Sequence, residues 1–246
     1  MDDTPNKNWL WITAIILSLG LIVSSFIFAQ GMVKLKSSGN TITVTGSAKQ
    51  QIKSDWAVWN GSFSTQNVQL PGAYAQIKSD QEKVKTYLKG KGIAEKDMIF
   101  SSINTEIKYV ILPNGQFSNQ IESYSLNQQV EIRSSDVDKI TVLSREATDL
   151  INQGVEFQSN PPQYFYTKLA DLKVKMLSKA TQDAMNRADE IAKFANSKVG
   201  GLKAAHMGVF QITPQYSNDV SDYGVNDTSS INKEITAVMN CEFTIK

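Results

Sequence analysis

Three kinds of hydrophobic pattern divide this chain: one continuous apolar run, several alternating runs and three stripes of helical period. The continuous run is Trp9 to Ala29, WLWITAIILSLGLIVSSFIFA, and it holds no charged residue. A helix crosses the hydrocarbon core of a bilayer with about 20 apolar residues. The few polar members, Thr13, Ser18, Ser24 and Ser25, have hydroxyls that can bond back to helix carbonyls. The pattern predicts a transmembrane anchor over 9–29, after a short tail (1–8) and before a polar tether (30–40). A cleaved signal peptide is the alternative. Its apolar region usually spans only about 7–15 residues before a small-x-small site, and here Ile27 spoils the site at Ala29.

The alternating runs predict strands. Ile42 and Val44 alternate with Thr41, Thr43 and Thr45, and Ala57, Trp59, Gly61 and Phe63 share one face of a run over 55–65. A third run (99–111) and a fourth (121–135) flank Pro113-Asn114-Gly115 and predict a long β-hairpin. A short strand is expected over 155–160, before Pro161-Pro162, and another over 202–213. The clearest alternation closes the chain, with Ile235, Ala237, Met239, Cys241, Phe243 and Ile245 in phase. Helical stripes run through Ala73, Ile77, Val84 and Leu88, with the charged Lys78, Asp80, Glu82, Lys83 and Lys85 mostly on the other faces, and through Val137, Ile140, Leu143, Ala147, Leu150 and Ile151. The third covers 168–196, marked by Leu169, Leu172, Met176, Ala180, Ala184, Ala188, Ile191 and Ala195, whose small alanines allow close packing on a sheet. The order β-β-α-β-β-α-β-α-β-β, mostly antiparallel, is an α+β fold with three packed helices over 41–246, behind one transmembrane helix. The segment 215–233, QYSNDVSDYGVNDTSSINK, reads as a loop too polar to pack.

Composition narrows the chemistry. Among 246 residues, 25 Lys plus Arg stand against 24 Asp plus Glu, and this net charge of +1 argues against a general nucleic-acid binder. One cysteine, Cys241, excludes an intrachain disulfide, and one histidine, His206, excludes a metal site of several imidazoles and thiolates. Cys241 sits in phase with Met239 and Phe243 and is expected to be buried, not reactive. Asp219, Asp222 and Asp227 could supply oxygens to calcium, but their spacing matches no standard loop. The methionines form no soft-ligand cluster, and Gly200-Gly201 follows a helix, the wrong context for a phosphate loop. The expectation is no enzyme, no cofactor and no metal.

With these elements placed, the chain resembles the SIMPL-domain family of bacterial envelope proteins. The segments that carry the resemblance occur in order: VTGSAKQQIKSDWA, KGIAEKDMIFSSINTEIKY, GQFSNQIESYSLNQQVEI, INQGVEFQSN and KATQDAMNRADEIAKFANSKVGGLKAA. Gly46-Ser47-Ala48 departs from the more glycine-rich turn usual in the family, and 215–233 looks like a local elaboration. The resemblance implies an exported, membrane-anchored or periplasmic protein with no established catalytic site. It also implies self-assembly into a homo-oligomer and a link to oxidative or envelope stress tolerance.

The charges flanking the span (Lys7 before; Lys34 and Lys36 after) slightly favour the wrong side for export. A short tail before a first span usually stays inside, and long domains translocate largely regardless of charge. The domain is therefore expected outside the cytoplasm, on a bacterial inner membrane. The alternative function is a monomeric extracytoplasmic binding module that captures a peptide, glycan or protein through Trp56, Trp59, Tyr216 and Tyr223.

Overall fold

A computed structural model describes residues 7–37, 40–113 and 115–246. The tail over 1–6, positions 38–39 of the expected tether and Asn114 of the expected turn lie outside the described residues. Helix α1 (Lys7–Ser37) contains Trp11–Met32, a 22-residue segment of mean hydropathy 2.4, none of it buried against the rest of the protein. By length and composition this helix can cross a membrane. It continues through most of the stretch expected as a tether, because nothing from Gln30 to Ser37 breaks a helix apart from one tolerated glycine, Gly31.

The remainder follows the α+β order, with more strands than expected, some short and others, such as the first, longer. These are β1 (Thr41–Lys53), β2 (Trp56–Asn67), α2 (Leu70–Gly90), β3 (Met98–Phe100), β4 (Asn104–Ile111), β5 (Phe117–Ser134) and α3 (Val137–Glu146). Then come β6 (Glu156–Ser159), β7 (Gln163–Phe165), α4 (Leu169–Phe194), β8 (Val199–Met207), β9 (Gln211–Pro214), β10 (Val225–Asn226) and β11 (Asn232–Ile245). The chain folds into two compact units: Met1–Ala48, Lys175–Gly208 and Ala237–Lys246 form one, and Lys49–Val174 with Val209–Thr236 form the other. β1, α4 and β11 each contribute residues to both.

In the first unit, β11 lies beside β1 and pairs antiparallel with β8, setting Met239 opposite Met207 and Cys241 opposite Ala205. Against β1 lies α4, with Met176, Ala180, Ala184, Ala188 and Ala192 buried along one stripe. The approach is close at Gly46, where a Cβ would overlap the Ala180 carbonyl oxygen and the Ala184 nitrogen. Glycine on the strand and alanine on the helix are what let the two backbones meet. The buried stripe keeps a strict spacing of four to Ala192, so Ile191 and Ala195, expected on it, are exposed.

The second unit is built on the long antiparallel pair β2–β5, running from Ala57 opposite Ser134 to Asn67 opposite Tyr124. β6 and β7 flank β2, while β3 and β4 flank β5. α2 and α3 pack on this sheet and close a core of Trp59, Phe63, Ile77, Val84, Leu88, Leu126, Val130, Ile132, Ile140 and Leu150. The Asp136 carboxylate caps α3 by accepting from the Lys139 amide at 3.0 Å. The helix expected to reach Gln153 tightens into a 3₁₀ turn from Ala147, and Gly154 (φ +77°) ends it.

Several expectations are corrected in detail. The strand expected over 99–111 breaks at 101–103 into β3 and β4. In the gap the Ser101 amide still donates to Gln129 O, but the Ser101 hydroxyl takes the Gln129 amide in place of a ladder carbonyl. The strand expected over 202–213 is two, β8 and β9, which fall in different units. Asp80 is buried on the inner face of α2, where Gln76 Nε2 and Lys83 Nζ donate to it at 3.0 and 3.3 Å. The segment 215–233 does pack, through groups described next.

Candidate functional site

The four aromatics expected to meet a partner separate into two kinds. Trp59 is fully buried: its indole N–H donates to Ser159 Oγ at 3.0 Å, and that hydroxyl donates to the Ser144 carbonyl at 2.6 Å. Trp59 is therefore a core residue joining β2, β6 and α3, and it is not available to a partner. Trp56 opens β2 on the opposite face and is 36% exposed. Tyr216 and Tyr223 stand in the 215–233 segment at 83% and 97% exposed, with Val220 between them at 80%.

That segment is organised by two buried polar side chains absent from the expected site. Gln211 on β9 donates to the Ser221 carbonyl at 2.7 Å and accepts from the Val225 amide at 2.9 Å. Lys233, only 2% exposed, donates to the Asp227 main-chain carbonyl and stands 3.4 Å from the Asp227 carboxylate. Backbone bonds complete the attachment: Asp227 N–H to Ile212 O, Tyr164 N–H to Thr228 O and Ser54 N–H to Ile231 O. Gly224 (φ +86°) makes the tight bend, where a Cβ would lie 2.8 Å from the Phe210 carbonyl oxygen. Tyr216 itself adopts φ +66°, an uncommon conformation for a tyrosine. The polar loop is thus a pinned one, with its aromatic tip turned outward.

Burial sets the electrostatics of the pin. Desolvation pushes the Lys233 ammonium below its ordinary pKa, and the Asp227 charge opposes this without cancelling it. Asp227 is pushed up by the same desolvation, but hydrogen bonds from Ser229 and Ser230, with the Lys233 charge, outweigh it and hold the carboxyl below its usual range. Asp227 therefore faces inward onto Lys233, while Asp219 accepts from the Ser217 hydroxyl at 2.7 Å. The three aspartates considered for calcium do not converge. Among the described residues no group of three or more His, Cys, Asp or Glu side chains does.

Cys241 is buried, and burial pushes its thiol pKa up, away from the thiolate that reactivity requires. His206 is exposed on β8, opposite Asn240. Beside the pin lies a cavity of about 80 Å³ lined by Tyr164, Tyr166, Leu169, Asp227 and Lys233. In the first unit an open groove of about 500 Å³ runs along Val44, Thr45, Asn186, Arg187, Glu190 and Ile191.

Lys233 was legible in the sequence, because it shares its parity with Ile235, Ala237 and Met239 on β11, all buried. Its charge argued for exposure, and the phase of the strand prevailed. No comparable signal marked Gln211.

An α+β part follows one helix that is long and apolar enough to cross a membrane. The chain belongs to the SIMPL family, described as a protein of unknown function (DUF541), whose pattern matches residues 42–243. No curated protein matches the chain.

Proposed function

We propose that this chain is a non-catalytic, membrane-anchored bacterial envelope protein that assembles into a homo-oligomer with its folded part outside the cytoplasm. The observation that carries the anchoring is Trp11–Met32, without a charge, strongly apolar on average and left uncovered by the other described residues. In water such a surface would aggregate; in a bilayer it is solvated. Anchoring confines copies to one surface and raises their effective concentration, so weak contacts suffice for assembly. A contribution to oxidative or envelope stress tolerance follows from the family resemblance and, given the buried thiol, would act through the assembly and not through Cys241 chemistry.

The test uses the full chain expressed in bacteria. It should remain in the membrane pellet after alkaline carbonate washing, be digested by protease added to the periplasmic side, and elute from mild detergent as a discrete species larger than one copy by light scattering. A mature N-terminus near Gln30 would make the helix a cleaved signal. A detergent-solubilised monomer would remove the oligomer and favour the second reading. That reading is a monomeric module that captures a peptide, glycan or protein, favoured by the exposed Tyr216, Val220 and Tyr223 held on a pinned loop. Deleting 217–222 would then abolish partner capture.

A further inference from the structure

β5 is longer than the sheet it anchors. Its pairing with β2 ends at Tyr124 opposite Asn67, and from there to Phe117 its ladder partner is β4. β4 and the outer half of β5 form a two-stranded arm, closed by a turn in which Leu112 N–H donates to Gln116 O at 2.8 Å and Gly115 takes φ +79°.

One face of this arm is apolar. Ile107 pairs with Tyr124, Tyr109 with Ile121 and Ile111 with Phe117. Directly opposed residues of an antiparallel pair share a face, so these six side chains form one stripe. It continues the face of β5 that carries Leu126, Val130 and Ile132 into the core. The helices that cover that core stop short of the arm: Tyr124 is half-buried, and beyond it Ile107, Tyr109, Ile121, Ile111 and Phe117 are 41%, 40%, 47%, 62% and 74% exposed. A two-stranded ribbon is marginal in water without cover on its apolar face.

We infer that this face is where a second copy of the chain docks, arm against arm about a two-fold axis. The inference rests on the homo-oligomer reading above and names its contact surface. Two observations select a second copy over another partner. A two-fold contact sets each surface against itself, so it must be self-complementary. No charged residue occurs from Tyr109 to Ile121, so nothing on the outer arm repels its own image. The charged residues Glu106 and Lys108 alternate onto the other face, and exposed Glu122 is left over at the register shift between Lys108 and Tyr109, at the inner end of the stripe. The size also fits: two such faces packed together bury on the order of 1,200 Å², the lower end for a specific interface, and membrane confinement favours a contact of that size. A bilayer is the competing occupant. It suits the arm less, because the unpaired backbone groups of the β4 edge would have to leave water unsatisfied.

The experiment measures the protein mass of full-length chains in mild detergent by light scattering, for the wild type, Phe117→Ser, Ile111→Asp/Phe117→Asp and the opposite-face control Glu106→Gln. The wild type and the control should share one multimeric mass, and the double variant should fall to half of it or less with an unchanged circular dichroism spectrum. Phe117→Ser, at a side chain on which little packs, should raise the concentration of half-dissociation at least tenfold, which keeps the test decisive if the double variant misfolds. Undiminished mass in both folded arm variants overturns the arm contact and leaves the oligomer reading standing. A monomeric wild type overturns both. A blue shift of an environment-sensitive dye at Phe117→Cys, in nanodiscs holding one copy, would assign the face to lipid and overturn the inference.

Discussion

The two halves of β5 have similar sequences and different fates. From Leu126 to Ile132, apolar side chains at alternate positions disappear beneath α2 and α3; from Phe117 to Ile121, apolar side chains face solvent. Both halves sit in antiparallel ladders, the covered one in unbroken register with β2 and the bare one with register shifts against β4 at Lys108/Tyr109 and Tyr109/Ile111. What separates them is cover: α2 begins at Leu70, just after β2 ends opposite Tyr124, and nothing in the same unit extends over the arm. Alternation therefore reports which face of a strand is apolar, and the second layer alone decides whether that face is core.

The contrast can be broken most severely from the covered half. Trp59→Ala should lower unfolding free energy by about 4 kcal/mol, by removing a fully buried ring and the hydrogen bond its indole N–H donates to Ser159. Urea denaturation of the solubilised chain reads this directly. Lys233→Ala should cost about 3 kcal/mol, because it leaves the Asp227 carboxylate buried without its cation. The same experiment on Lys49→Ala, whose exposed ammonium bridges half-buried Glu234 at 3.1 Å, should show a loss below about 1 kcal/mol. In the other unit, Gly46→Ala forces a Cβ into the backbone of α4 and should destabilise by about 2 kcal/mol, seen as a lower urea midpoint.

A gentler test loosens the cover. Glu95, just after α2, is bridged to Lys85 and, at 2.6 Å, to Lys89; the hydrogen bonds from Lys85 and then Lys89 lower its pKa from 4.5 to about 2. A carboxyl depressed in the folded state contributes stability that is fully present above its unfolded pKa and is lost as pH falls through its folded one. The contribution should therefore fade between pH 4.5 and about 2. Glu95→Gln should flatten the acid limb of the Tm against pH curve in that window. The smallest effect belongs to the bare half: Phe117→Ala should change the folding free energy of a single copy by about 0.5 kcal/mol or less, while acting on assembly.

Much of this contrast was legible from residue order. The phases of Ala57, Trp59, Gly61 and Phe63 on β2, and of Ile235 to Phe243 on β11, correspond to buried faces. So does the phase of Cys241. Trp59 could not be both a core residue and a contact for partners, and its phase had already placed it with Phe63. Asp80 and Lys233 escape a reading that weighs charge above position. A buried charge becomes tolerable when a partner is supplied: Gln76 and Lys83 on the same helix serve Asp80, and Asp227 in the preceding loop serves Lys233.

Local order thus determined the apolar span and the faces of the strands and helices, because each depends on spacing within about twenty residues, and the succession of such segments over residues 42–243 carried the family. The tertiary structure alone decided that 215–233 is pinned by Gln211 and Lys233, that Gly46 is a close crossing, and that half of β5 is left bare. Those three outcomes depend on which segment, near or far along the chain, the fold brings opposite a given side chain. No periodicity within one element carries that information.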